Sequence, residues 1–197
     1  TDYIDLESFA DQWLFYELNE ENSVNSSVYY YKDSDICGDG KLHASWPWDM
    51  EHSLAREGGA ASSWFAAASD LKPEGYWMQF YHHRDFAEAV YKEWMTKFVP
   101  ALEKALNPET GYDPDGISSL DWYLGYYGTD AQINESRWNE SGFAEKLEKI
   151  RRIYTVRLDF LTEALGLYDT DYIYFYKENG ILYGVNAQEE SIPVENP

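Results

Sequence analysis

The feature that most restricts this chain is a pair of long apolar repeats at helical spacing. Phe86, Val90, Trp94, Phe98, Leu102 and Ala105 recur along residues 85–106, and Phe143, Leu147, Ile150, Tyr154, Leu158, Leu161 and Leu165 along 143–165. Side chains three and four positions apart share one helix face, so each repeat specifies a long helix with a stripe to bury. A third pattern over 5–21 supplies a surface for them: Asp5 suits an N-cap, and Leu6, Phe9, Trp13 and Tyr16 follow at the same spacing. Pro100 falls inside the first repeat and predicts a kink or a division there. A weaker helical pattern occupies 117–139 despite Gly125 and Gly128, and Gly166 offers a C-cap to the last helix.

Strand signals are short and local. Ser27-Val28-Tyr29-Tyr30-Tyr31-Lys32 and Lys41-Leu42-His43-Ala44-Ser45-Trp46 flank the turn formers of Asp33 to Gly40, a hairpin that delivers the chain to Pro47-Trp48-Asp49-Met50-Glu51. Residues 56–69, with Gly58-Gly59, read as a loop leading into a short helix. A second hairpin is predicted around Asn179-Gly180, between 172–176 and 181–185. Beyond Asn186 the chain reads as an acidic, disordered tail or linker. The expected fold class is mostly α with small β-hairpins (α+β). At 197 residues and 44% apolar content, the chain has material for one substantial core, here a domain over 1–166 followed by a hairpin and tail over 167–197.

Charge excludes some partners. Fifteen basic against thirty-six acidic residues give a net charge of -21, which repels phosphate backbones and anionic membrane surfaces, so nucleic acid is not an expected partner. No apolar run approaches the roughly 18–20 residues needed to span a bilayer, and the first residues lack the pattern of a signal peptide, so no membrane insertion is expected of this piece. Thr1 without an initiator Met suggests a processed chain or an excised fragment. Cys37 alone permits no internal disulfide and reads as a turn residue. The aromatic content of 18%, with eight Trp and eighteen Tyr, suits extracellular carbohydrate-handling proteins and equally a heavily aromatic core.

The residues best placed for chemistry are Asp49 and Glu51. Two carboxylates two positions apart, just after a strand, face one hard cation if the backbone turns there, and such a cation binds phosphate oxygens. Alternatively, Asp49 caps the following turn and Glu51 is solvated. Pro47, Trp46 and Trp48 predict a rigid, partly buried turn. His83-Arg84-Asp85 spells a kinase tripeptide but reads as a helix start, and His82-His83 as an exposed turn. Asp33, Asp35 and Asp39 miss the spacing of a calcium loop and suit a solvated turn. Asn25, Asn134 and Asn139 begin N-x-S sequons. Tyr29, Tyr31, Trp46 and Trp48 are expected on the sheet face and in the core, with sugar stacking as the other reading.

Several of these segments together resemble the spore-coat CotH kinase-like family. Ser27 to Asp33, Asp39-Gly40-Lys41-Leu42 and Pro47-Trp48-Asp49-Met50-Glu51 are similar to its hairpin and acidic signature. Ile4-Asp5 through Glu17-Leu18 resembles its preceding helix. Phe80 to Trp94, through Asp85-Phe86 and Glu93-Trp94, and Ala131 to Trp138, through Asn134, Arg137 and Trp138, resemble later segments in the same order. The likeness covers roughly residues 3–165.

The resemblance implies the C-terminal lobe of an atypical protein-kinase-like fold, secreted or at the cell surface, transferring phosphate from ATP to a protein substrate with Mg²⁺ or Mn²⁺. It implies Asp49 as the ligand of the nucleotide-bound metal and Glu51 as a supporting ligand, both therefore at the ATP site. Glu17 matches a recurrent Glu ahead of the family's catalytic-loop region, which implies an orienting role at the catalytic site; the other reading is a polar helix-end residue. Two departures stand out. The Asn-x-Asp element expected after that Glu is replaced by Asn19 to Asn25, without Asp, and Trp46-Pro47 stands where the family has Gly-Pro. The resemblance also places the phosphate-contacting basic residues upstream of the stretch matched here, so this stretch alone is not expected to turn over ATP. From these departures comes an alternative of another class: a non-catalytic structural or adhesion module that binds a protein or polysaccharide partner.

Overall fold

The structure is a computed structural model that describes residues 2–21, 28–50, 52–54, 58–64, 80–139, 142–172 and 174–194. It is mixed α and β, about 53% helix and 13% strand with small antiparallel sheets, in line with the mostly helical expectation. Helix α1 spans Leu6–Asn19, and Asp5 caps it by accepting the Ser8 N–H at 2.8 Å. Strands β1, Tyr30–Lys32, and β2, Leu42–Ala44, form the first hairpin, with Tyr31 opposite His43. The other edge of β2 is occupied by the chain entering α1, through Asp5 N–H to Leu42 C=O and Leu42 N–H to Tyr3 C=O, both 2.9 Å.

The apolar repeat over 85–106 forms one rod in three pieces: α2, Arg84–Glu93, a π-helical turn at Trp94–Phe98, and α3, Val99–Leu106. Pro100 lacks the N–H that an unbroken α-helix would donate, and its ring crowds the carbonyl four residues back; the wide turn, closed by Val99 N–H to Trp94 C=O, relieves both. Four residues overshoot an α-helical turn by about 40°. The π-turn reverses that drift, which keeps Phe86, Val90, Trp94 and Leu102 all buried.

Helix α4, Leu120–Trp138, is capped by Ser119 and ends at Asn139 in the left-handed region, with Gly125 and Gly128 inside it. Helix α5, Phe143–Leu165, is the longest. Its buried stripe includes the predicted Leu161 and Leu165 but otherwise runs through Ile153, Arg157, Phe160 and Ala164, while the predicted Ile150, Tyr154 and Leu158 are half-buried. Gly166 does follow α5, but with right-handed φ and ψ, so the helix closes by turns rather than by a left-handed cap.

Strands β3, Tyr174–Glu178, and β4, Ile181–Val185, form the second hairpin, with Asn179 and Gly180 both at positive φ as a two-residue turn of this hand requires. The disordered tail expected after Asn186 is corrected here. Strand β5, Ser191–Pro193, adds to β4, because Asn186 accepts the N–H groups of Gln188 and Glu190 and folds the chain back. The free edge of β3 is covered by residues 62–64, through Lys177 N–H to Ser62 C=O at 2.7 Å and Trp64 N–H to Phe175 C=O at 3.3 Å.

One core joins all of this. Trp13 meets Trp64 edge-on at 5.7 Å and stacks on Tyr81 at 5.3 Å, while Trp64 contacts Phe175 at 5.2 Å. The Trp94 indole N–H donates to Thr162 of α5 at 3.0 Å. Phe175 and Leu182 belong to the same buried cluster as α1, so the 167–194 segment packs into the core of the preceding residues. No described helix is long and apolar enough to cross a membrane.

Candidate functional site at the acidic turn

Residues 45–50 and 52–54 are bonded repeatedly to the C-terminal half of α1 and the residues just after it. Gln12 Nε2 donates to Ser45 C=O at 3.0 Å, the Trp48 N–H bonds the Tyr16 hydroxyl, Ser53 Oγ donates to Glu21 Oε2 at 2.9 Å, and Leu54 N–H donates to Asn19 C=O at 2.7 Å. Asp49 and Leu54 adopt positive φ, 66° and 56°, so the turn holds side chains where the left-handed region is costly for anything but Gly, Asn or Asp. Asp49 tolerates it well. The residue is exposed.

The surroundings are strongly acidic. Glu17, Glu20 and Glu21 are fully buried at the end of α1, where Glu20 is itself left-handed and closes the helix. Tyr16 reports the local field: burial raises its hydroxyl pKa first, the Trp48 N–H opposes this, and the negative charges of Glu21 and Asp49 raise it further. The carbonyl end of α1 adds its own negative potential. Oxygen donors at a negative helix end suit a hard cation in kind, and they repel an anion arriving alone.

Glu17 has a definite place. Arg157 Nη2 bonds Glu17 Oε1 and Glu17 C=O, both at 2.6 Å, and Arg157 Nη1 bonds Ala61 C=O at 2.9 Å and Ser63 C=O at 2.6 Å. Neither side chain is exposed. One guanidinium therefore ties α1, the 61–63 segment and α5 together. Sequence reasoning missed Arg157, although a signal was present: an arginine on the stripe of Ile153, Phe160 and Ala164 needs a buried partner. Glu51 lies outside the described residues, as do 22–25 of the stretch that departs from the family pattern.

Other expected features fall as follows. Tyr29, Tyr31, Trp46 and Trp48 are exposed, Trp46 at 88%, which corrects their expected core role, while the turn itself is partly buried through Pro47 and Met50, as expected. The cause is that β2 is covered by α1 and the residues entering it, leaving these aromatics beyond the packed area; Tyr29 meets Trp48 edge-on at 6.4 Å, and Tyr31 stacks on His43 at 5.0 Å. His83 is the residue preceding α2 and Asp85 lies in its first turn, so His83-Arg84-Asp85 is a helix start. Asp33 and Asp35 are exposed, Asp35 pairs with Lys32, and Asp39 pairs with His43 at 3.1 Å. Among the described residues, two clusters have ligand atoms close enough for a cation, Asp5 with Asp39 and His43, and Glu7 with Asp11 and Glu93. In the second, the Lys97 ammonium already sits at 2.7–2.8 Å from all three carboxylates. Asn134, Arg137 and Trp138 lie on the exposed end of α4.

Comparison with protein-family models, with curated proteins and with solved structures finds no match to this chain.

Proposed function

We propose that this chain is the mainly helical C-terminal part of a CotH-like atypical protein kinase domain, secreted or at the cell surface, in which Asp49 takes part in binding ATP and its Mg²⁺ for phosphoryl transfer to a protein. The observation that supports it most is convergence. The helix motif ending at Glu17-Leu18 and the hairpin motif ending at Asp49, distant in sequence, are bonded to each other through Trp48 and Tyr16. An exposed carboxylate held left-handed just after a hairpin, at the negative end of α1, has the chemistry a hard cation selects.

When bound, Mg²⁺ supplies charge neutralisation for the phosphates. Asp49 would hold the ion, with Glu51 as its supporting ligand by resemblance. Glu17 acts in this proposal as a positioning residue, since its carboxylate is fully buried against Arg157 and fixes the last turn of α1 rather than reaching a substrate. The test is calorimetric titration of MgATP and MnATP into a polypeptide extended upstream of Thr1 to complete the implied domain. Binding is expected, weakened at least about tenfold in the Asp49→Asn variant. If the extended chain binds neither nucleotide complex, or the variant binds as well as the parent, the proposal fails.

A second reading is supported by the exposure of Tyr29, Tyr31, Trp46 and Trp48. In it, the fold is a non-catalytic module that presents these aromatics to a partner.

A further inference from the structure

Beside the acidic turn, α1, the segment after β2 and the π-turn enclose a cleft of about 450 Å³, walled by Phe15, Tyr31, Trp46 and Phe98. Gln12 and Asp11 also line it. Gln12 is only 3% exposed, and while its Nε2 donates to Ser45 C=O, its Oε1 has no hydrogen-bond partner among the described residues. The same is true of Asp11 Oδ1, whose companion oxygen accepts from Lys97 at 2.8 Å. Buried acceptors left open are costly, and both would be satisfied by a ligand that donates.

The rest of the lining narrows the class. Asp11 and Lys97 balance each other in the wall, and Lys97 is further held by Glu7 and Glu93, so no cation is left to draw in an anion. A phosphate or carboxylate would meet two acceptors. An apolar ligand would leave both unsatisfied. Trp46 projects into solvent, and Tyr31 is held flat by its stack on His43, interplanar angle 13°. Aromatic rings lining the same cleft as open acceptors match a molecule with an apolar C–H face and a rim of hydroxyl donors. We infer that this cleft binds a neutral saccharide, stacked on Trp46 and Tyr31 and donating hydroxyl hydrogen bonds to Gln12 Oε1 and Asp11 Oδ1. The inference deepens the binding-module reading and is independent of the metal chemistry proposed for Asp49.

The experiment is a titration of the ¹⁵N-labelled protein with cellotetraose, xylotetraose, mannotetraose and laminaritetraose, each to roughly 10 mM. At least one is expected to shift the Trp46 indole N–H and the Gln12 side-chain amide signals. Trp46→Ala, at a site too exposed to disturb the fold, should weaken that binding about tenfold or more, whereas Trp138→Ala, at an exposed tryptophan on α4, should leave it unchanged. If a tetrasaccharide binds and Trp46→Ala leaves its affinity intact, the cleft is the wrong site while the binding-module reading survives. If none of the four moves these signals, or tetramethylammonium moves them instead, the saccharide inference is overturned.

Discussion

Replacing Arg157 with leucine removes the cation that holds Glu17 in the interior. In the native protein this guanidinium donates four hydrogen bonds at 2.6–2.9 Å, one to the Glu17 carboxylate and the rest to the carbonyls of Glu17, Ala61 and Ser63. Leucine fills part of the volume but takes the Arg157 charge away from a carboxylate with no exposure, and leaves acceptors there that water cannot easily reach. Breaking a buried pair from one side costs roughly 3–5 kcal/mol, and the stranded charge dominates that figure. For a chain of this size, each kcal/mol lowers Tm by about 2–4 °C, so the expected fall is about 6–20 °C. Urea unfolding followed by tryptophan fluorescence and far-ultraviolet circular dichroism measures the change as a shift in midpoint at constant slope. The double variant Glu17→Met with Arg157→Leu removes both charges and should recover at least about 2 kcal/mol of the loss. A single variant within about 1 kcal/mol of the parent, or a double variant no more stable than the single, would refute the reasoning.

Three further outcomes are expected. Gly184→Ala places a Cβ 2.4 Å from the Tyr172 ring, which must leave its edge contact with Phe175; urea unfolding should show a loss of about 1–3 kcal/mol, and adding Tyr172→Ala should cost little more. Burial pushes the Tyr154 hydroxyl up to about 12 and raises those of Tyr81 and Tyr16, so the stability they contribute is complete below their ordinary value of 10.0 and is lost as pH rises through the raised ones. The phenolate absorbance of Tyr154, read as the difference between the parent and a Tyr154→Phe variant, should therefore appear above the ordinary value of 10.0 and together with unfolding; a reversible rise at 10.0 without unfolding would contradict it. Lys97→Met leaves the buried Glu93 with the more distant Lys92, at 3.6 Å, beside Asp11 and Glu7 and should cost about 1–3 kcal/mol near neutral pH. Although burial opposes its charge, the hydrogen bonds that Lys97 donates to Asp11, Glu7 and Glu93 raise its pKa above 10.5, so the parent's advantage should hold below that pH and shrink above it.

Much of the scaffold was legible because its signals are local. Asp5 caps α1 through its own neighbour Ser8, Asn179-Gly180 closes a hairpin by backbone preference alone, and Pro100 announces an irregular turn whatever surrounds it. The β5 strand was not legible. Its residues are polar and proline-bearing, and it forms because Asn186 turns the chain onto an edge that β4 happens to offer. The same limit applied to the exposed tryptophans, for which composition and β-propensity say nothing about which face of a hairpin another element will cover.

Sequence by itself determined the acidic turn: a hairpin followed by Pro47-Trp48-Asp49, with residues whose backbone and side-chain preferences act over a few positions. Tertiary structure alone decided what that turn faces. The bond from Trp48 to Tyr16, the open acceptors of Gln12 and Asp11, and the pairing of Glu17 with an arginine 140 residues away depend on packing between segments that share no local signal. Buried polar groups must find partners wherever the fold brings them, and a partner's identity is set by distance in space rather than along the chain.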